Sequence, residues 1–286
     1  MPVENNFQHD ELSRKNPGDR LTYAEWTPPP DIGSPAWQVA MGDIGQKLST
    51  TGVRVILFLH GAIPGTDIFG LGRLDEVGGL KRGYSRGISG LDSLLSFMRE
   101  GTNGITPLPG GLKPPLPNDE ATKNLLDSQI GDAGNFTAQT VEQCRKALNQ
   151  QLTTPIICLR ELWSSEHHHL GRALAACRLL DRLHTLVREH RLGAGDRILI
   201  QAHGQAGLVL ALASNLLCPS PITGRKTFFD LLLAATPQGP DAQAVHRIDP
   251  LLTSGSLLNG AALDLVTFGT PVRYGWDPSG IGKLLH

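Results

Sequence analysis

Residues 201–207 read "QAHGQAG", set between the apolar run "RILI" and the small-residue stretch "LVLALASNLL". A turn tight enough to lift an attacking side chain out of a strand-to-helix junction needs small residues two positions either side of the nucleophile. Ala202 and Ala206 meet that need around Gly204, with His203 and Gly207 completing the turn. Centring on Ala206 instead would put the bulky Leu208 at plus two. The chemistry served by such a turn is nucleophilic attack by a hydroxyl or thiol. Gly204 supplies no attacking atom. A strand, glycine-rich turn and helix can also cradle phosphate, but this stretch lacks GxGxxG and an acidic residue about 20 positions later.

Other residue types invite chemistry as well. Glu166, His167, His168 and His169 are adjacent, and imidazole is a common metal ligand. Consecutive residues at a helix start point in different directions, so a polar helix N-terminus is the better reading, and no metal is expected. Asp67 and Arg273 follow strand ends, as do Trp163 and Trp276, on the side where open α/β sheets bind ligands. The first two suit hydrogen bonding near the site and loop support equally, and core packing suits the tryptophans.

These residues need a sheet to hold them. "VRVILFLHG" (53–61) is almost continuously apolar and β-branched, the pattern of a strand buried on both faces in a parallel sheet. "TPIICLREL" (154–162), "DRILIQAHG" (196–204) and "LDLVTFGTP" (263–271) repeat it. Between the second and third, Leu170, Leu174, Cys177, Leu180, Leu183 and Val187 recur at helical spacing. Arg172, Arg178, Arg182 and Arg188 fall on the other face, and Gly193 marks a stop. A second helix over 208–218 is apolar almost all round and ends at Pro219 and Pro221. A helix is also expected over 225–236, because a strand there would need an unusually short crossover. The fold class is therefore α/β: a mostly parallel sheet covered by helices on both faces.

The chain divides into residues 1–52, an N-terminal arm with edge elements of which "RLTYAEW" resembles a strand, and a main domain over 53–286. Residues 62–153 are too long for an ordinary connection. They hold two expected helices, "SGLDSLLSFMRE" and "AQTVEQCRKALNQ", around a Gly/Pro-rich segment, and form a lid-like insertion.

Lys plus Arg number 26 against 27 for Asp plus Glu, leaving no net field to attract nucleic acid or an anionic membrane. No apolar stretch approaches the ~20 residues that span a bilayer, and the polar N-terminus lacks a signal-peptide core. Four widely spaced cysteines without a CxxC pair suit a reducing cytoplasm.

The ordered pieces resemble the α/β-hydrolase superfamily, and within it lipases and esterases, with glycine in place of the nucleophilic serine. "HGAIPGTDIFG" is similar to the family's His60-Gly61 type of loop after the first core strand. That resemblance implies an oxyanion hole from the amides of Ala62 and Gln205. It also implies an ester or lipid as the ligand and no cofactor. Of the triad's remaining members, Asp277 stands where some relatives hold the acid, though an ordinary turn residue is the better reading, and the only histidines after Gly204 are His246, too early, and the terminal His286, which is expected to fray. No apolar run follows residue 276 to make the family's last two strands, so either the sheet is shortened or the chain is a piece of a longer protein. As written the chain is expected to be inert, with a non-catalytic binding or interaction module as the alternative. Glycine relieves the strain that a nucleophile carries at such a turn, so the glycine form is expected to be at least as stable as a serine form.

Overall fold

The computed structural model describes residues 28–61, 124, 127–128, 132, 134–163, 169–219, 224–271 and 273–286. The "RLTYAEW" strand, the "SGLDSLLSFMRE" helix, Ala62, Asp67 and Glu166 to His168 lie outside the described residues.

Helix α1 (Pro35–Thr50) opens the described chain. Ser34 caps it by accepting from the Trp37 N–H, and Pro35 fits the first turn because it has no N–H to leave unsatisfied. Strand β1 (Val53–Leu59) follows. After it come α2 (Ala138–Leu148), β2 (Ile157–Glu161), α3 (His169–Glu189), β3 (Arg197–His203) and α4 (Ala206–Leu217). Then come α5 (Arg225–Ala235), α6 (Pro240–Ser254), β4 (Ala262–Phe268), a 3₁₀ turn at Pro278–Gly280 and β5 (Lys283–Leu285). The apolar runs become strands and the 3.6-period segments become helices, including the segments read as helices over 138–150 and 225–236.

The five strands form one sheet in the order β2-β1-β3-β4-β5. Every pair is parallel, with Leu59 opposite Glu161 and Ala202, and His203 opposite Phe268. The sheet does not stop at β4. Three residues, Lys283–Leu285, add a parallel edge strand, a run too short to read from apolarity alone.

Strand β1 shows why both faces must be covered. Val55, Leu57 and Leu59 join a large core with α3, α4, α5 and α6, while Ile56 and Phe58 join a smaller one against α1 and α2. Alternate side chains of a strand point to opposite faces, so one apolar run feeds two cores. At the α1–α2 contact, a Cβ on Gly45 would lie 1.9 Å from the Leu148 carbonyl oxygen, so only glycine lets the backbones approach this closely.

Helix α3 departs from its expected faces. Arg188 is exposed and Arg182 about one-third exposed, but Arg178 forms a two-pronged ion pair with the buried Asp241 of α6, and Arg172 is 0% exposed. The helix also ends earlier than Gly193. The Leu192 N–H closes on the Val187 carbonyl at 2.9 Å, and Arg191 takes the left-handed conformation (φ 52°) usually given to glycine.

Candidate active site

The carboxyl ends of β1, β2, β3 and β4 converge on the β3–α4 turn. Gly204 has φ 54°, in the left-handed region that an L side chain enters only with strain. Its N–H donates to the Phe268 carbonyl at 2.8 Å, anchoring the turn to β4, and its carbonyl accepts from the Gly207 N–H at 3.1 Å. Ala202 and Ala206 are both 0% exposed, so the small residues two positions either side of Gly204 are enclosed as a tight turn demands. Among the described residues, its chain neighbours aside, a Cβ built on Gly204 would meet only the Gly61 Cα, at 4.0 Å. These residues leave space for a side chain, and backbone strain is the cost of placing one there.

Gly207 is small for a different reason. A Cβ there would lie 1.9 Å from the Thr270 Oγ1, because the segment after β4 lies directly on the first turn of α4.

His60 and Gly61 end β1 beside this turn, in unlike roles. His60 is fully buried and faces Trp163 rather than position 204. Its Nε2 accepts from the Trp163 backbone N–H at 3.2 Å, leaving the proton on Nδ1, which lies 2.8 Å from the Gly61 carbonyl oxygen. The Trp163 indole N–H donates to the His60 carbonyl at 2.7 Å, and the rings stack with centroids 6.2 Å apart. His60 and Trp163 thus lock the ends of β1 and β2 together. Gly61 instead faces His203: a Cβ on Gly61 would lie 2.8 Å from the His203 Nδ1, and one on Gly134 would lie 2.3 Å from the same ring. Two glycines therefore form a slot for the His203 imidazole next to position 204.

Gln205 precedes α4, and its side-chain oxygen accepts from the Arg172 Nη2 at 2.8 Å. The first N–H groups of a helix lack intrahelical acceptors, so the Gln205 amide is placed as a donor at the turn. Its expected partner amide, on Ala62, lies outside the described residues.

Asp277 and His286 do not join this cluster. The Asp277 N–H donates to the Ser214 hydroxyl at 3.3 Å, eight residues into α4 from Ala206, or about 12 Å along the helix. Hydrogen bonds with the Cys218 thiol and with Ser279 hold the Asp277 carboxyl below its usual range. The neighbouring Gly282 N–H donates to the Leu263 carbonyl at 2.7 Å, at the amino end of β4. Asp277 therefore sits toward the opposite edge of the sheet from Gly204. The sequence places it after β4, but the chain runs back along α4 before reaching it. His286 is at the carboxyl edge and is held rather than frayed. Its Nδ1 lies 2.9 Å from the Thr267 Oγ1 and its ring tilts against Trp276 at 5.5 Å. It continues β5, two strands from β3 and so about 10 Å across the sheet from the turn.

The remaining candidates sort as follows. Trp163 is core, Trp276 packs on the core edge, and Arg273 is exposed. His169 meets the Tyr274 hydroxyl at 2.6 Å, joining the start of α3 to the segment after β4. Among the described residues no group of three His, Cys, Asp or Glu could hold a metal ion, and no helix is long and apolar enough to cross a membrane. Two residues at this edge are not foreseen by sequence patterning. Arg172 is one, since its partner is remote in the chain. Glu161 is the other: burial at the end of β2 raises its carboxyl to about 7, with Arg182 at 3.8 Å pulling the other way.

The described chain is a parallel α/β fold. No family model, curated protein or solved structure matches it.

Proposed function

We propose that this chain is a serine-hydrolase-like protein of the carboxylic ester hydrolase and lipase type, in which Gly204 occupies the nucleophile position. Acyl transfer would need a hydroxyl there, so the chain as written forms no acyl-enzyme and is inactive unless serine is restored. The observation that carries the reading is the turn itself: a left-handed Gly204 between buried Ala202 and Ala206, with its Cβ direction open toward Gly61. An ester or lipid would lie at this carboxyl edge with its carbonyl oxygen toward the Gln205 amide. The four free thiols, well separated in sequence, support a reducing cytoplasmic setting.

A second reading is favoured by the separation of Asp277 from both Gly204 and His286: a pseudo-hydrolase that binds its ligand without turning it over. The two are separated by fluorophosphonate labelling of the native and Gly204→Ser proteins, read by intact-mass spectrometry. The native chain stays unlabelled at residue 204. Labelling of the introduced hydroxyl supports the hydrolase reading. A Gly204→Ser protein that is folded by circular dichroism yet unlabelled overturns it, and saturable binding of an acyl ester by the native chain then supports the second.

A further inference from the structure

We propose that Arg172 is the positioning residue of the 204 turn. Its buried guanidinium holds Gln205 and makes position 204 a place where negative charge is favoured. The proposal rests on the reading of Gly204 as the nucleophile position and adds the group that prepares it.

Three observations lead there. Arg172 is 0% exposed, although helical spacing places it with the polar arginines of α3. A guanidinium is always charged, and taking it out of water is costly unless its surroundings are arranged for it. It lies in the first turn of α3 and donates from Nη2 to the Gln205 side-chain oxygen at 2.8 Å, tying the start of α3 to the start of α4. Gln205 adjoins Gly204, so the guanidinium lies within about 10 Å of position 204 by covalent reach. At that range, inside the protein, a fixed charge is screened far less than at the surface. The N-terminus of α4 adds partial positive charge of the same sense. Among the described residues the other titratable groups of this edge have partners of their own: His60 is locked to Trp163, His169 meets Tyr274, His286 meets Thr267, and Glu161 lies 3.8 Å from Arg182. His203 lies in the slot made by Gly61 and Gly134.

A thiol introduced by Gly204→Cys reads this charge without requiring any hydrolase activity. Its ionisation is followed by pH-dependent iodoacetamide alkylation, mapped by mass spectrometry. Three of the four native thiols are a quiet background, since burial pushes Cys158 and Cys177 up to about 12 and raises Cys144, and the mass map separates Cys218 from residue 204. The expected midpoint at position 204 lies below the ordinary ~8.5 of a free thiol. Adding Arg172→Gln moves it up by about one pH unit, roughly a tenfold loss of thiolate near neutrality, whereas Arg172→Lys retains most of the effect. An unchanged midpoint in a folded Arg172→Gln protein overturns the proposal, as does a lysine variant as impaired as the glutamine one. If Arg172→Gln fails to fold, Gln205→Leu removes the oxygen that holds the guanidinium and adds no charge of its own. It too must raise the midpoint, and no change again overturns the proposal. An unlabelled Gly204→Ser protein counts against the hydrolase reading and leaves this titration standing, so the two failures are distinguishable.

Discussion

Replacing Gly204 by alanine isolates backbone strain from every other effect at the turn. At φ 54° an L residue costs about 1–2 kcal/mol relative to its ordinary conformations. The lower chain entropy of unfolded alanine returns roughly 0.4–1 kcal/mol. No steric cost is added by the described residues, whose nearest atom to the new Cβ beyond its chain neighbours is the Gly61 Cα at 4.0 Å. The net loss is about 1 kcal/mol, a fall in melting temperature of roughly 2–4 °C for a chain of this size. Gly207→Ala is the matched control. It is inside α4, where alanine is the better helix former, but its Cβ would lie 1.9 Å from the Thr270 Oγ1 and 2.4 Å from its Cγ2. Its destabilisation is overpacking of about 1–3 kcal/mol. Thr270→Gly removes the clashing atoms and rescues Gly207→Ala while leaving the cost of Gly204→Ala unchanged. Urea unfolding of the three single and two double variants measures this. A Gly204→Ala protein as stable as the native chain, or one rescued by Thr270→Gly, refutes the strain argument.

Glu161 makes stability depend on pH in a defined window. Its carboxyl moves from the usual 4.5 to about 7 in the folded protein, so between those values the folded state holds a proton that the unfolded chain has released. The resulting stability is fully present below about 4.5 and is lost as pH rises through 7, by about 1–3 kcal/mol for this one-fifth-exposed side chain. Glu161→Gln flattens that slope in urea unfolding between pH 5 and 8, and an unaltered slope contradicts the assignment. Arg191→Gly stabilises by about 0.5–1 kcal/mol, because Arg191 closes α3 at φ 52°, where glycine carries no Cβ penalty. A variant less stable than the native protein in thermal melts would show that the arginine side chain holds that turn.

The elements most legible in the sequence are those whose pattern follows from burial alone. Strands β1 to β4 read clearly because an interior parallel strand must be apolar on both faces. Helix α4 read clearly because it is enclosed almost all round. Helix α1 was not legible in the sequence, where residues 1–52 read as an arm with edge elements, because Gly42 and Gly45 break its apolar pattern. Glycine at 45 answers to the Leu148 carbonyl, which lies on another helix about a hundred residues away. The site divides in the same manner. The small residues flanking Gly204 follow from local turn geometry, so they could be read. Arg172 could not, because the rule that sends arginine to solvent fails only where a remote Gln205 receives it. Asp277 was misplaced because proximity in sequence to β4 says nothing of the direction the chain takes next. Ser214 and Cys218 on α4 set that direction.

The division of the interior into two unequal cores has a consequence for how the molecule opens. Among the described residues, α1 and α2 rest on the smaller cluster around Ile56, Phe58 and Val141, whereas α3, α4 and α6 share the larger one on the opposite face. Cooperative units in a native protein open at free energies that follow the apolar contacts they must break. In native-state hydrogen exchange, the amides of α1 and α2 should therefore report a sub-global opening below the free energy of complete unfolding. Those of β3 and α4, which flank Gly204, should exchange only with the whole molecule. Among the described residues the turn is thus expected to open with the slower part, while the Gly134 wall of the His203 slot, just ahead of α2, loosens earlier.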